Sequence, residues 1–395
     1  DSRYTFGGNT LKKYRLGFGD CRVQALLTAW DSRDKSLGGQ RWFHLYPDEQ
    51  ITYKDELHWT RSNFNWNGMC AECHSTNLKK NYDSKADTFV TRWSEIDVSC
   101  EACHGPASEH VSWAGKKPQQ QAASDKGLAL LFDERDGVTW QIAGDSGTAS
   151  RSHKRETEKE IEVCAQCHSR RSALTDDYQP GNAFADHYMP RLLDEGMYFA
   201  DGQIEDEVYV YGSFLQSKMY HQGVTCSDCH EPHSLQLRQQ GNAVCAQCHD
   251  AGKYDSSKHH FHESGTPGAA CAECHMPTRD YMVVDPRHDH SIRIPRPDLS
   301  VEYGTPNACN NCHKDKDANW ALNHTEKWYK QPVKGFQKYT AALSAARKGA
   351  SEQTRTAGHL LVDQLRVKDT PAIAAASALS LLPAYLDENN VDVLQ

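Results

Sequence analysis

The chain is poor in apolar residues and carries no excess of positive charge. Hydrophobic residues make up 38% of its 395 residues, against roughly 45–50% in ordinary globular chains. So thin a protein core calls for a non-protein group to fill part of the interior. Lys and Arg number 44 against 53 Asp and Glu, a formal charge of −9. A phosphate backbone needs a surface of the opposite sign, so nucleic acid is excluded as a partner. Long hydrophobic runs are also absent: residues 372–382 form one of the longest, far short of the roughly 18–20 residues that cross a bilayer. The chain therefore has no membrane span, and no charged n-region followed by an apolar h-region opens it. Arg3-Tyr4-Thr5-Phe6 already reads as the middle of a strand, and residues 390–395 stop without a helix-terminating signal. Both ends are expected to be fragments of a longer product.

What is abundant is cysteine and histidine, 15 and 21 residues. Fourteen of the cysteines fall into seven C-x-x-C-H motifs: Cys70, Cys73 and His74; Cys100, Cys103 and His104; Cys164, Cys167 and His168; Cys226, Cys229 and His230; Cys245, Cys248 and His249; Cys271, Cys274 and His275; Cys309, Cys312 and His313. This is the attachment pattern of c-type haem. Two thiols one helical turn apart reach the two vinyl groups of one porphyrin, and the adjacent His is held under the iron as proximal ligand. Zinc wants four ligands from two such pairs, and seven motifs do not pair off evenly. Thioredoxin-like pairs and disulfides impose no His after the second Cys. The expected cofactor is haem c, seven copies, covalently bound.

Covalent haem attachment takes place outside the cytoplasm, so the chain is expected to be exported, to the periplasm or the cell surface. A globule of 395 residues has a radius of gyration of about 21 Å, so seven macrocycles cannot avoid being neighbours. Electrons can then pass from haem to haem, and the expected partners are redox proteins or further copies of the chain.

Fourteen histidines remain for the other face of the irons. His110 and His233 follow the second and fourth motifs so closely that each is constrained to lie near a neighbouring haem. His290 is placed similarly after the sixth motif and is preferred to His288, as His262 is preferred to His259 and His260. His187 stands in the gap between the third and fourth motifs, and His44 and His58 sit in aromatic segments before the first. His153, His324 and His359 read as solvated. Met219 is an alternative iron ligand before the fourth motif, although a Met beside aromatics is more often core. Cys21, the leftover cysteine, reads as a buried free thiol in a strand.

Residues 1–62 alternate apolar and polar with Gly-Gly and Pro-Asp breaks, the pattern of short strands and hairpins. Residues 63–316 carry the seven motifs at irregular first-Cys spacings of 30, 64, 62, 19, 26 and 38 residues, which excludes a simple tandem repeat. Within them, residues 115–162 read as a polar surface excursion. Residues 317–395 lack cysteine and show helical periodicity, with breaks near Gly349 and Pro371. The expected fold is a multihaem cytochrome c: mostly loops and short helices around stacked haems, a small N-terminal β region and a C-terminal α-helical repeat segment.

The blocks Met69-Cys-Ala-Glu-Cys-His-Ser-Thr-Asn-Leu, Gly212-Ser-Phe-Leu-Gln-Ser-Lys-Met-Tyr and Gly223-Val-Thr-Cys-Ser-Asp-Cys-His-Glu-Pro-His resemble exported multihaem cytochromes c with C-terminal tetratricopeptide or HEAT-like repeats. The Cys-His-Met-Pro segment ending at Pro277, with the later His290, is similar to the wider superfamily of cytochrome c nitrite reductase and octahaem hydroxylamine oxidoreductase. The first resemblance implies one more C-x-x-C-H upstream, hence an octahaem whole, and a glycine where Cys21 stands. The second is incomplete, because no C-x-x-C-K motif is present. The reading favoured is electron transfer along mostly bis-His haems in a respiratory or extracellular pathway, the chain associating end to end into a filament in one version of it. The alternative is a multihaem oxidoreductase of the nitrite- or hydroxylamine-converting type with one open-site haem.

Overall fold

The computed structural model describes residues 2–7, 10–121, 125–142, 144–332, 334–335, 337–348 and 354–386. Alternation near the N-terminus produces a four-stranded antiparallel meander, β1 (Ser2–Phe6), β2 (Leu11–Gly17), β3 (Val23–Asp31) and β4 (Arg41–His44), paired in chain order. One face is apolar: Leu11, Ala25, Leu27, Ala29 and Phe43 pack with Leu45, Phe64 and Val284. Cys21 departs from expectation. It is exposed and lies in the turn before β3 with φ 61°, its N–H donating to the Phe18 carbonyl at 3.1 Å. The strand begins two residues later than the apolar run suggests, and the left-handed backbone at this position is one that glycine adopts most easily.

The central region consists of helices of four to ten residues, the longest spanning Lys159–His168, joined by two-stranded ribbons and loops. Pieces this short do not persist alone in water. Caps and long-range contacts hold them. Thr225 and Asp228 form a capping box on the Cys226–Cys229 helix, and the Asn307 side chain caps Ala308–Cys312. The described residues of the polar stretch 115–162 are largely exposed, and a few contacts anchor the stretch to the body. Glu134 accepts hydrogen bonds from the Thr157 hydroxyl and the Glu160 N–H, and Arg135 pairs with Asp228 at 3.0 Å.

Four helices of 8 to 13 residues follow: α1 (Ala318–Tyr329), α2 (Thr340–Arg347), α3 (Thr354–Arg366) and α4 (Ala372–Leu381). The Asp317 carboxylate caps α1 by accepting the Trp320 N–H. Gly349 lies outside the described residues, while Pro371 directly precedes α4. Ala346, Leu361, Val362, Ala378, Leu382 and Tyr385 form a cluster within this tail. A second cluster joins Tyr339, Leu343, Ile373 and Ala374 to Leu193, Tyr198, Ile204, Val208 and Tyr281, so α2 and α4 share a core with the central region. Its tightest point is Gly202, at φ +82°, where a Cβ would fall 1.9 Å from Gln216 Oε1. There the buried Tyr339 hydroxyl donates to that same Oε1 at 2.7 Å. No helix among the described residues is long and apolar enough to cross a membrane.

Candidate haem attachment sites and axial histidines

Each C-x-x-C-H motif lies in a turn or short helix. Of the seven, Cys100–His104 and Cys271–His275 are helical from first cysteine to histidine, and Cys164 to His168 close the Lys159–His168 helix. No disulfide joins any cysteine. Burial pushes the Cys70, Cys229, Cys248 and Cys274 thiols up to about 11, the opposite of the thiolate character that a redox-active pair needs. Among resolved shifts only Cys73 and Cys245 go down, through sulfur hydrogen bonds with Cys167 and Cys271 respectively.

Those contacts reveal which motifs are neighbours. The first touches the third through Cys73 and Cys167, the third touches the fourth through Cys164 and Cys226, and the fifth touches the sixth through Cys245 and Cys271. Electrostatic influence links Cys103 with Cys164, Cys229 with Cys248 and Cys274 with Cys309. The attachment sites therefore run from the third to the seventh in sequence order, with the first and second both meeting the third.

Four of the motif histidines face a second imidazole. Ring centres are 6.2 Å apart for His104 and His233, with planes at 11°. They are 6.4 Å apart for His230 and His290, 6.1 Å for His275 and His259 and 6.2 Å for His313 and His262. Two imidazoles bound through one nitrogen each on opposite sides of a metal, with bonds of roughly 2 Å, hold their centres about 6.3 Å apart. The gaps thus fit one iron each. Several of these rings also have Nδ1 occupied by a carbonyl, which leaves Nε2 for a metal. His104 donates to Leu130 O at 3.0 Å, His275 to Arg293 O at 2.7 Å, His290 to His288 O at 2.9 Å and His262 to His260 O at 2.5 Å. Burial lowers the pKa of His74, His168, His230, His249, His259, His275 and His290 and favours the neutral, ligating form.

The remaining candidates lie elsewhere. His110 stacks on Trp113 and donates to Lys126 O. His187 bonds Thr175 Oγ1 at 2.6 Å beside Tyr178. His44 Nδ1 is 2.9 Å from the Tyr46 carbonyl, and His58 Nδ1 is 2.8 Å from Thr60 Oγ1. Among the described residues no ring contact joins these four to a motif histidine. Met219 packs beside Phe214 and Tyr220 in an apolar cluster. Sequence reasoning passed over His259, although two histidines of a His-His-Phe-His run can serve two neighbouring motifs. It also read His324 as solvated, whereas its ring packs 4.3 Å from Trp320, which itself packs 4.7 Å from His313. The Trp-x-x-x-His-x-x-x-Trp spacing, which stacks all three along one helix face, was the available signal.

A buried carboxyl braces the third motif against the fourth. Glu160 Oε1 accepts the Ser227 N–H at 2.5 Å and Oε2 accepts its hydroxyl at 2.7 Å. Burial raises the Glu160 pKa, and the two Ser227 hydrogen bonds only partly oppose it. The folded chain therefore binds this proton more tightly than the unfolded chain. The resulting stabilisation is present at acid pH and is lost as pH rises from the ordinary glutamate value, about 4.3, through the raised one. Glu160→Gln is expected to flatten that part of a Tm-against-pH profile, and an unchanged slope would count against the assignment.

Residues 51–197 match the NapC/NirT cytochrome c family, N-terminal region, and residues 219–254 match the doubled CXXCH motif. Among solved structures, the outer cell wall cytochrome OcwA is similar with a TM-score of 0.53 and 17% identity, over 97% of this chain and 83% of that one. An undecahaem cytochrome from the S-layer of Carboxydothermus ferrireducens aligns at 19% identity and a TM-score of 0.33, over 98% of this chain and 62% of its own length. No curated protein matches. The fold is that of a multihaem cytochrome, haem c is the cofactor that the matched motifs take, and electron transfer is the chemistry supported.

Proposed function

We propose that the chain is an exported electron conductor holding seven haems c, one on each C-x-x-C-H motif, with most irons ligated by two histidines. The observation that carries this is the set of four imidazole pairs, each uniting a motif histidine with one from outside the motifs across a gap of 6.1–6.4 Å. Haem c supplies one-electron chemistry, and two histidine ligands leave no coordination position for substrate. The residues do the rest. The thioether cysteines fix seven connected positions, a run from the third motif to the seventh with the first and second both joining at the third, the paired rings close both faces, and carbonyls orient those rings. Partners of such an array are redox proteins or further copies of the chain, and a filament of copies would extend the same conduction.

Intact mass and haem content of the exported chain test the count. Seven haems are expected, and five or fewer would overturn it. The EPR spectrum of the oxidised protein should be dominated by low-spin ferric signals. A second reading rests on His74, His168 and His249, which face no second imidazole at this spacing among the described residues. If one of those irons is five-coordinate, a high-spin signal accompanies dye-linked reduction of nitrite or hydroxylamine, as in an oxidoreductase. Absence of both favours the conductor.

A further inference from the structure

The inward face of β2 carries Leu11, Lys13 and Arg15, while Lys12 points out to solvent. A sheet face packed on a core is ordinarily apolar, yet Lys13 is only 8% exposed and Arg15 2%. The Lys13 ammonium lies 5.0 Å from the ring centre of Phe64 and 6.0 Å from that of Phe6, and the Arg15 guanidinium lies 4.1 Å over Trp66. Phe6 in turn packs against His74 with ring centres 5.3 Å apart. Both cations act electrostatically on Cys70 and on His74. No carboxylate forms an ion pair with Lys13 among the described residues, and Glu207 acts on it only from a distance. Aromatic faces offset part of the cost of burying an ammonium, but a charge withdrawn from water this far calls for an anion.

We propose that Lys13, backed by Arg15, is the counter-charge for the haem attached at Cys70 and Cys73, partnering its propionate carboxylates and raising its reduction potential. This rests on the reading that the first motif carries a haem. A haem brings carboxylates to a place where the chain buries the Lys13 ammonium with no ion pair among the described residues. Oxidation of the iron adds one positive charge, which neighbouring cations oppose, so the reduced state is favoured at this haem. Lys13 is a positioning and potential-setting residue, touching neither the iron nor its ligands.

The test is a potentiometric titration of the holoprotein, followed in the visible haem bands, for wild type, Lys13→Met, Lys13→Arg and Lys12→Met. Methionine keeps the length of the stem and needs no partner. Lys13→Met is expected to lower one component by about 59 mV, a tenfold change in a one-electron equilibrium, and to leave the others in place. Lys13→Arg and the outward-facing Lys12→Met should superimpose on wild type. Superimposable curves for Lys13→Met, or an equal shift of every component, would overturn the proposal. Peptide mapping separates the two levels of the claim: no haem on Cys70 and Cys73 of the wild type overturns the underlying reading instead. Should Lys13→Met fail to mature, loss of haem from the first motif alone, restored in Lys13→Arg, supports the proposal. Equal failure of Lys13→Arg counts against it.

Discussion

Asp201→Ala is expected to lower the stability of the chain by about 3–5 kcal/mol, the usual consequence of removing one partner of a buried ion pair. Arg293 Nη1 donates to Asp201 Oδ2 at 2.9 Å with side-chain exposures of 4% and 1%. Its Nε donates to Ser291 Oγ at 2.9 Å, and Gln203 Nε2 donates to the same carboxylate at 2.8 Å. Removing Asp201 takes the ion-pair partner from the guanidinium, on which Asp289 then acts only electrostatically, and takes one of two acceptors from the Gln203 amide, which keeps the Pro306 carbonyl at 2.6 Å. Arg293→Met combined with Asp201→Asn should recover most of the loss, because the pair then disappears together. Denaturant unfolding of the holoprotein followed by circular dichroism measures this, and a loss under about 1 kcal/mol would mean that Arg293 finds another acceptor. The effect should also reach a haem site, since the Arg293 carbonyl accepts the Nδ1 proton of His275.

The second large effect is expected from His290→Ala. Its ring stands 6.4 Å from that of His230, with planes at 25°, and the His288 carbonyl fixes its orientation. On the proposed pairing, alanine leaves the fourth motif's iron with one histidine and an open face. The expected signature, relative to wild type, is conversion of one more haem from low to high spin in EPR and additional carbon monoxide binding in the reduced protein. Haem count should not change, because attachment depends on Cys226 and Cys229. A His290→Ala spectrum without an added high-spin component would show that the two rings do not share an iron.

The attachment motifs are legible in sequence because their chemistry is local: two thioethers and a histidine on one turn leave no freedom in spacing. The β-sheet is legible in part, since alternation in residues 23–31 gives the buried Ala25, Leu27 and Ala29 of β3, whereas the inward positions of β2 include Lys13 and Arg15, which no apolar pattern places inside. Partners for the motif histidines are another matter. His233 lies beside its own motif in sequence yet faces His104, and His262 faces His313 across the sixth motif. Spacing cannot say this, because tertiary packing decides which loop crosses which porphyrin edge. The same limit explains the tail. Its helical periodicity is visible, whereas the fact that Tyr339 and Ile373 complete a core begun at Leu193 depends on contacts across more than a hundred residues. Cys21 shows a smaller failure, in which an apolar run was extended through a position whose backbone is left-handed.

The crossed histidine pairs give the chain a connectivity that its sequence of short elements does not suggest. Each pair joins stretches that are separate along the backbone, and with a metal bound between them it closes a loop as a covalent staple would, removing conformations from the unfolded ensemble. Without a single disulfide, the chain then behaves as a multiply cross-linked polymer. Its two-residue ribbons and one-turn helices become knots in a net, and exposure to proteolysis is set by how many ligand bonds must break at once rather than by how long any helix is.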